Sequence, residues 1–209
     1  MLKEKKQDRR LKILVLILEF LALGIAVYII AIPVYPAVKY RIENINTDPE
    51  VFKDIEHVKI ETAKIEKELV QNEQAYGNRL IISKIGVNSP IVEAGNAEQG
   101  LNRGAWRLPV SSTPDQGGNT VITGHRFKYL PPSNLTFYLF DKLRLDDIVS
   151  VIWDNKEYYY QIHKIKIIDK TDVSILEPSD KSILTLFTCH PLFSDEQRIV
   201  AIADLMDSI

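Results

Sequence analysis

The sequence predicts a mainly β domain, a barrel or sandwich of mostly antiparallel strands, behind a membrane-spanning helix and an amphipathic helix. Three observations predict this. Residues 13–32 form a continuous apolar run with a single charge, Glu19. After Gly77 the chain consists of short segments rich in β-branched and aromatic residues, separated by turn residues. Between these segments no helical pattern is long enough for a βαβ crossover, which favours antiparallel pairing.

Length, charge and cysteine content exclude several classes of protein. The chain has 209 residues, 45% hydrophobic and 26% charged, which rules out a disordered, collagen-like or multi-span protein. The net charge of -2 gives no chain-wide basic field for nucleic acid. Cys189 is the single cysteine of the sequence, which excludes an internal disulfide and a zinc site built on cysteine pairs.

The N-terminus has the pattern of an uncleaved membrane anchor. Residues 1–12 carry six Lys or Arg and are predicted to be a cytoplasmic tail, because positive charge is retained inside. Residues 13–35 are the predicted anchor, since a 20-residue helix spans about 30 Å. The alternative is a cleaved signal peptide, but its apolar core is shorter and Ala31-Ile32-Pro33 is a poor cleavage site. The remainder of the chain is therefore expected outside the cell.

Residues 36–77 are predicted to be a linker followed by an amphipathic helix. Pro33 and Pro36 are expected to end the span, with a polar, irregular linker over 37–49. Apolar residues then recur at spacings of three and four, a helical period that is expected to start near an Asp48 cap and to pack on the chain's own domain. They are Val51, Ile55, Val58, Ile65 and Leu69.

Strand patterns fill the rest of the chain. Residues 94–119 are predicted to be mainly loop, and 169–182 turns or a short helix. A turn at 86–90 is expected between the first two strands. The predicted strands are Leu80–Ile85, Ile91–Val92, Thr120–Thr123, a hairpin of Ile148–Trp153 and Glu157–Ile168 around Asp154-Asn155, the fully buried Ile183–Cys189, and Arg198–Leu205.

The lone thiol is the most informative side chain. An unpaired cysteine in an oxidising compartment is either buried or used. Cys189 ends an apolar strand next to a polar loop, a position at which a nucleophile and a core cysteine are equally plausible.

A thiol nucleophile needs a proton partner, and four histidines are available. His125 ends its own short strand, and it reaches the same rim as the thiol if the two strands run side by side. His190 adjoins the cysteine and points to the opposite side of the strand. His57 is expected on a helix surface, and His163 is expected to be structural.

Arg198 begins the last strand and is the candidate oxyanion donor. Its guanidinium cannot act as a base, but its fixed donors can hold an acyl oxyanion or a peptide backbone. A surface salt bridge to Asp195 or Glu196 is the alternative, and on the residues alone it is slightly favoured.

Several segments in this order resemble the sortase family of membrane-anchored cysteine transpeptidases. Thr185–Cys189 matches the family's TLxTC signature, and Gly118–Arg126 matches GNxVIxGHR. Arg198–Val200 is similar to the RxxV-like final strand, and Leu80–Val92 is similar to the opening strands. The resemblance covers roughly residues 79–206.

This resemblance implies an eight-stranded β-barrel with short helices over the catalytic domain, residues 78–209, with its site at one rim. It implies that Cys189 attacks the Thr–Gly bond of an LPxTG-like sorting signal and forms a thioacyl enzyme. His125 would be the general acid and base, and Arg198 would hold the oxyanion and the peptide. The implied partners are sorting-signal peptides of surface proteins and an amine acceptor, either a cell-wall precursor or a pilin lysine. Family members need no organic cofactor, and some bind calcium, which is not predicted here.

Subtype and rival functions remain expectations at this point. No second apolar span follows the first in the sequence. A DPW/DPF-type lid motif is not found either, and Asp48-Pro49-Glu50 is the nearest string. Both observations favour an open-site enzyme that attaches surface proteins. One rival is a papain-like or amidase-type cysteine hydrolase, although those place the cysteine before the histidine. The other is a membrane-tethered inactive barrel that binds peptide or wall polymer.

Overall fold

The computed structural model describes residues 2–45, 77–128, 133 and 135–206, which form an N-terminal helix and a β-barrel. Helix α1 spans Leu2–Ile45. Within it Lys12–Ile42 is long and apolar enough to cross a membrane, judged by length and composition. The apolar helix predicted for residues 13–35 is therefore present as a helix.

The end predicted for this helix is wrong. Both Pro33 and Pro36 lie inside α1, which continues to Ile45, so the first part of the expected irregular linker is helical. A proline removes one backbone donor and crowds the preceding turn, but the turns on either side can still form. The predicted amphipathic helix, its Asp48 cap, His57 and the lid-like string at 48–50 lie outside the described residues.

The described residues after 77 form the closed eight-stranded barrel that was predicted. Its strands pair in the order β1-β2-β3-β4-β7-β8-β6-β5, with β5 closing on β1. The strands are β1 Arg79–Ile82, β2 Val87–Glu93, β3 Ala105–Arg107, β4 Asn119–Thr123, β5 Ile148–Trp153, β6 Lys156–Asp169, β7 Ile183–His190 and β8 Gln197–Leu205.

Pairing is mostly antiparallel, as expected, with two parallel contacts in the barrel. The β2–β3 pair is parallel, and a short helix that the sequence did not predict, α2 at Ala97–Leu101, connects them. The Asn96 side chain caps α2 by accepting from the Gln99 amide at 3.0 Å. The β4–β7 pair is also parallel, and the β5–β6 hairpin lies in its connection, so no crossover helix is needed.

The first turn of the barrel differs from the prediction. Strand β1 stops at Ile82, a 3₁₀ turn covers Ser83–Ile85, and β2 starts at Val87 instead of after Pro90. Gly86 adopts φ 68°, a left-handed conformation that suits glycine and reverses the chain tightly. A turn is therefore present, but it lies three residues earlier than expected.

The strand β7 is covered on both faces, as its apolar sequence predicts. Leu184 and Leu186 point into the main barrel core and are almost fully buried. On the outer face Phe187 packs with Val200 of β8 and with Ile175, which lies in the segment between β6 and β7. Because both faces are packed up to Phe187, the last residues of β7 are held on a rigid element.

Candidate active site

The site lies where two parallel strands, β4 and β7, end together. In their ladder Thr123 pairs with Phe187, and two residues further along each chain come His125 and Cys189. Two side-chain hydrogen bonds hold these ends in register. The Thr123 hydroxyl donates to the Phe187 carbonyl at 2.9 Å, and the Thr188 hydroxyl donates to the Gly124 carbonyl at 2.7 Å.

Cys189 is partly exposed and lies at the end of β7, outside the barrel core. In the antiparallel ladder it pairs with Arg198 of β8, just as Phe187 pairs with Val200. Side chains two residues apart share a strand face, so Cys189 leaves the barrel on the outer side, beyond the packed Phe187. Of the two roles that the sequence left open for Cys189, nucleophile and core cysteine, its partial exposure is against the second.

Cys189 and His125 line one open groove of about 540 Å³. Its other walls come from the loop after His125 and from the β7–β8 loop. From the sequence, these two side chains are expected at one rim if their strands run side by side. In the structure the two strands pair, and both side chains line the same groove. The remaining lining residues are Arg126, Phe127, Lys128, Phe193, Ser194, Asp195 and Glu196.

Burial and charge favour the neutral form of His125. Burial lowers the pKa of the His125 imidazole from its usual 6.5, and the positive charge of Lys128 lowers it further. A neutral imidazole has one free acceptor nitrogen, which can take a proton. Near neutral pH the ring can therefore act first as a base towards a neighbouring thiol.

The backbone before His125 is fixed by a close approach. A Cβ placed on Gly124 would lie 2.8 Å from the Phe137 ring, a distance that side chains do not tolerate. The Phe137 amide donates to the His125 carbonyl at 2.8 Å. Glycine at 124 therefore lets the histidine loop pack directly on the aromatic ring.

Arg198 is opposite Cys189 in the ladder, but its guanidinium is turned towards its own loop. Its Nη1 donates to the Asp195 carbonyl at 2.9 Å and to the Gln197 carbonyl at 2.8 Å. These are backbone contacts, whereas the alternative considered from the sequence was a salt bridge to a carboxylate. Arg198 is not among the residues that line the groove.

Arg126, the residue after His125, was given no role of its own from the sequence. Arg126 is only 4% exposed, and its guanidinium binds three acceptors around the site. Nε donates to the Tyr138 carbonyl at 3.1 Å, Nη1 to the Cys189 carbonyl at 3.3 Å, and Nη2 to the Asp141 carboxylate at 2.7 Å. The GHR string indicates that this residue belongs to the motif, but its burial could not be deduced from the string.

Two phenylalanines form an apolar part of the groove wall. Phe127 and Phe193 meet edge to face with ring centroids 4.2 Å apart. Phe193 is 62% exposed and has φ 68°, a left-handed conformation that is rare for a bulky residue. An exposed aromatic ring in such a conformation beside a partly exposed thiol suits contact with an apolar ligand.

The other histidines that the structure describes are not part of this arrangement. His163 is on β6, partly exposed, with Nδ1 3.1 Å from the Asp204 carboxylate. His190 follows Cys189, and its Nδ1 is buried without a hydrogen-bond partner in the structure. Among the described residues no group of three or more His, Cys, Asp and Glu side chains is arranged to hold a metal ion.

Comparison with known proteins places most of the barrel in one family. The family model described as Sortase domain matches residues 80–206. Sortase D of Bacillus subtilis (strain 168) is 34% identical over 113 residues, which are 54% of this chain and 53% of that protein. The chain thus spans about half the length of this relative.

Solved structures give the same result. Sortase C1 of GBS pilus island 1 superposes with a TM-score of 0.57 and 27% identity, covering 63% of this chain and 64% of that one. Group B Streptococcus pilus island 1 sortase C2 superposes with a TM-score of 0.56 and 28% identity, covering 62% of this chain and 73% of that one. Both similarities extend over a length comparable to that of the barrel.

Proposed function

The chain belongs to the sortase family, and on this premise we propose that it is a cysteine transpeptidase acting on sorting signals. In this proposal it cleaves the Thr–Gly bond of an LPxTG-like peptide through a thioacyl intermediate on Cys189 and transfers the acyl group to an amine. The observation that carries the proposal is the shared groove of Cys189 and His125 at the paired ends of β7 and β4.

The first half-reaction follows from this arrangement. The Cys189 sulfur attacks the threonine carbonyl carbon, and the thiol proton passes to the His125 imidazole. The C–N bond to glycine then breaks, and the imidazolium returns the proton to the leaving amine. The lowered pKa of His125 supports both steps, because the ring is neutral before attack and a good acid once protonated.

The second half-reaction reverses these roles. A primary amine attacks the thioester carbonyl, His125 accepts the proton that the amine loses, and the C–S bond breaks to release the new amide. The imidazolium then returns this proton to the departing Cys189 sulfur, which restores the thiol and the neutral imidazole for the next cycle. The two half-reactions consist of acyl and proton transfers, and they balance without an oxidant or reductant.

Arg198 is proposed to stabilise the oxyanion and the bound peptide. Its place opposite Cys189 puts the start of its side chain on the face from which the sulfur projects. Its Nη1 donors are used by two loop carbonyls, so in this proposal the guanidinium swings towards the substrate when the peptide binds. Charged side-chain donors of this kind are common at developing oxyanions.

The membrane is proposed to hold the barrel at the outer surface. The apolar segment of α1 supplies the span, and the basic residues 1–12 favour a cytoplasmic N-terminus. The substrates would then be secreted surface proteins, and the acceptor amine a cell-wall precursor or a pilin lysine. Two similar structures are sortases of a pilus island, which supports the pilin lysine as one of these acceptors.

The experiment follows both products of the reaction. The full chain in detergent is incubated with an LPxTG-containing peptide and increasing concentrations of a primary amine, and products are identified by mass spectrometry. The amide should replace the free acid as amine increases, and Cys189→Ala should form neither. Free acid alone at high amine would favour the hydrolase, and binding without turnover would favour the inactive module.

A further inference from the structure

Arg126 is a buried cation that lines the same groove as the thiol, and it has no role in the reaction described so far. The three acceptors of Arg126 come from two other segments of the chain. Asp141 lies in the 3₁₀ turn Phe140–Lys142, the Tyr138 carbonyl just before that turn, and the Cys189 carbonyl at the end of β7. Arg126 itself follows His125, so one guanidinium connects both candidate catalytic segments to a third.

The planar guanidinium gives this connection a defined geometry. Its donors are fixed relative to one another, so binding three acceptors restrains the relative position of the three segments. The contact with Cys189 is made to the backbone carbonyl, at 3.3 Å, and leaves the sulfur free. Arg126 therefore restrains where the thiol is held without blocking it.

The same side chain also brings positive charge to the groove. Arg126 lines the groove together with Cys189, and its side chain is largely removed from water, where charges interact more strongly. Burial lowers the pKa of Arg126, while Asp141 and, more weakly, Cys189 raise it. The guanidinium contacts the carbonyl of Cys189 and lines the same groove as its sulfur, so the positive charge is held close to the thiol.

We propose that Arg126 is a positioning residue for the nucleophile, which fixes the Cys189 backbone beside His125 and favours the thiolate through its buried charge. This rests on the proposed function for its role in turnover. The effect on the thiol belongs to the groove itself and does not require a peptide.

Other charged and titratable groups near the groove are unchanged in the Arg126 variants of the test. They come from the histidine loop, from the segment that contains the 3₁₀ turn, from the β7–β8 loop and from β8. These groups are His125, Lys128, Tyr138, Asp141, Lys142, His190, Asp195, Glu196 and Arg198.

The measurement is the rate of alkylation of Cys189 by iodoacetamide as a function of pH, with the full chain in detergent. The chain has one cysteine, so every thiol adduct reports on Cys189. Arg126→Gln should move the midpoint of the rate profile upward by about one pH unit, the lower end of what a close opposite charge does. Arg126→Lys keeps the charge and should keep the midpoint near that of the wild type, while peptide turnover falls because the three-acceptor fork is lost.

Asp141→Asn separates charge from damage to the fold. This variant removes a negative charge near the thiol, so the midpoint of the alkylation profile should fall. It also breaks the ion pair with Arg126, so it weakens the packing of the cluster about as much as Arg126→Gln does. A disrupted fold would move both variants in one direction. An unmoved midpoint in Arg126→Gln, or an unmoved or raised one in Asp141→Asn, overturns the inference. If Arg126→Gln does not fold, Asp141→Asn alone decides by the same criterion.

The two proposals fail in different ways. A shifted alkylation midpoint in a chain that turns over no sorting peptide contradicts the proposed function and leaves the thiolate effect of Arg126. Peptide turnover with unmoved midpoints contradicts the role of Arg126 and leaves the proposed function.

Discussion

Cys189 lies directly opposite Arg198 in the antiparallel ladder between β7 and β8, so both side chains leave the same outer face of the barrel. Eight residues of chain lie between them, and the loop that they contain forms one wall of the groove. The ladder thus places the proposed oxyanion donor beside the proposed nucleophile, while its guanidinium donates to two loop carbonyls.

Replacing Arg198 should lower peptide turnover and leave the reactivity of the Cys189 thiol nearly unchanged. Arg198→Gln should lower kcat/KM for the sorting peptide by about 10²–10³-fold, the effect of losing one oxyanion donor. Alkylation of Cys189 should change much less. The matched control is Arg144→Gln, because Arg144 also donates from Nη1 to two backbone carbonyls but is not paired with Cys189 in the ladder. Equal losses in both variants would contradict a role for Arg198 in the reaction.

The histidine should titrate below its ordinary value. Since burial and then Lys128 lower the pKa of His125, the neutral ring persists to lower pH than in a free histidine, whose pKa is 6.5. NMR titration of the histidine rings, with His125 assigned from a His125→Gln spectrum, should give a midpoint below 6.5. Lys128→Gln removes the second cause and should raise the midpoint. A wild-type midpoint above 6.5, or a fall in the variant, would contradict this account of the site.

The close packing before the histidine predicts a strong effect of one methyl group. In Gly124→Ala the new Cβ would lie 2.8 Å from the Phe137 ring, so backbone or ring must move. We expect a loss of about 1–3 kcal/mol in the free energy of unfolding, typical of overpacking, and lower turnover because His125 moves with the loop. Gly95→Ala is the control, since a Cβ there meets nothing within 4 Å. Equal stability of the two variants in urea unfolding would contradict the packing argument.

Phe193 is expected to contribute more to peptide binding than to the stability of the fold. Replacing Phe193 by asparagine loses the ring contact with Phe127. This loss is offset because asparagine adopts the left-handed backbone conformation of this position more readily than phenylalanine. Phe193→Asn should keep the free energy of unfolding within about 1 kcal/mol. Its KM for the sorting peptide should rise severalfold because an apolar wall is lost. Val110→Asn, at another exposed apolar residue away from this groove, should change neither quantity, and an unchanged KM in Phe193→Asn would contradict the assignment.

Much of the site could be predicted because it depends on strand ends. A strongly apolar strand that stops at Cys189 and a β-branched strand that stops at Thr123 indicate two rims, and one parallel pairing makes them the same rim. That pairing itself could not be predicted, because the strands that lie between them in sequence form a hairpin elsewhere in the barrel. The resemblance to a family implied an eight-stranded barrel with its site at one rim, and the comparisons confirm the family.

Local rules failed where tertiary contacts override them. Pro90 suggested a turn, yet it pairs with Arg79 at the end of the β1–β2 ladder, where a missing donor costs little. Pro33 and Pro36 suggested a helix end, yet α1 continues past both. Arg126 resembles a surface residue in the sequence, because burial of a charged side chain depends on acceptors from distant segments such as Asp141 and Cys189.

The most direct test of a nucleophilic Cys189 is to capture its acyl form. The full chain in detergent is mixed with an LPxTG-containing peptide without amine, and the intact protein is weighed by mass spectrometry before and after an amine is added. We predict an adduct of the peptide fragment ending in threonine, located on Cys189 and lost as the amide when the amine arrives. An unmodified chain that still cleaves the peptide, or an adduct on any other residue, would contradict the account.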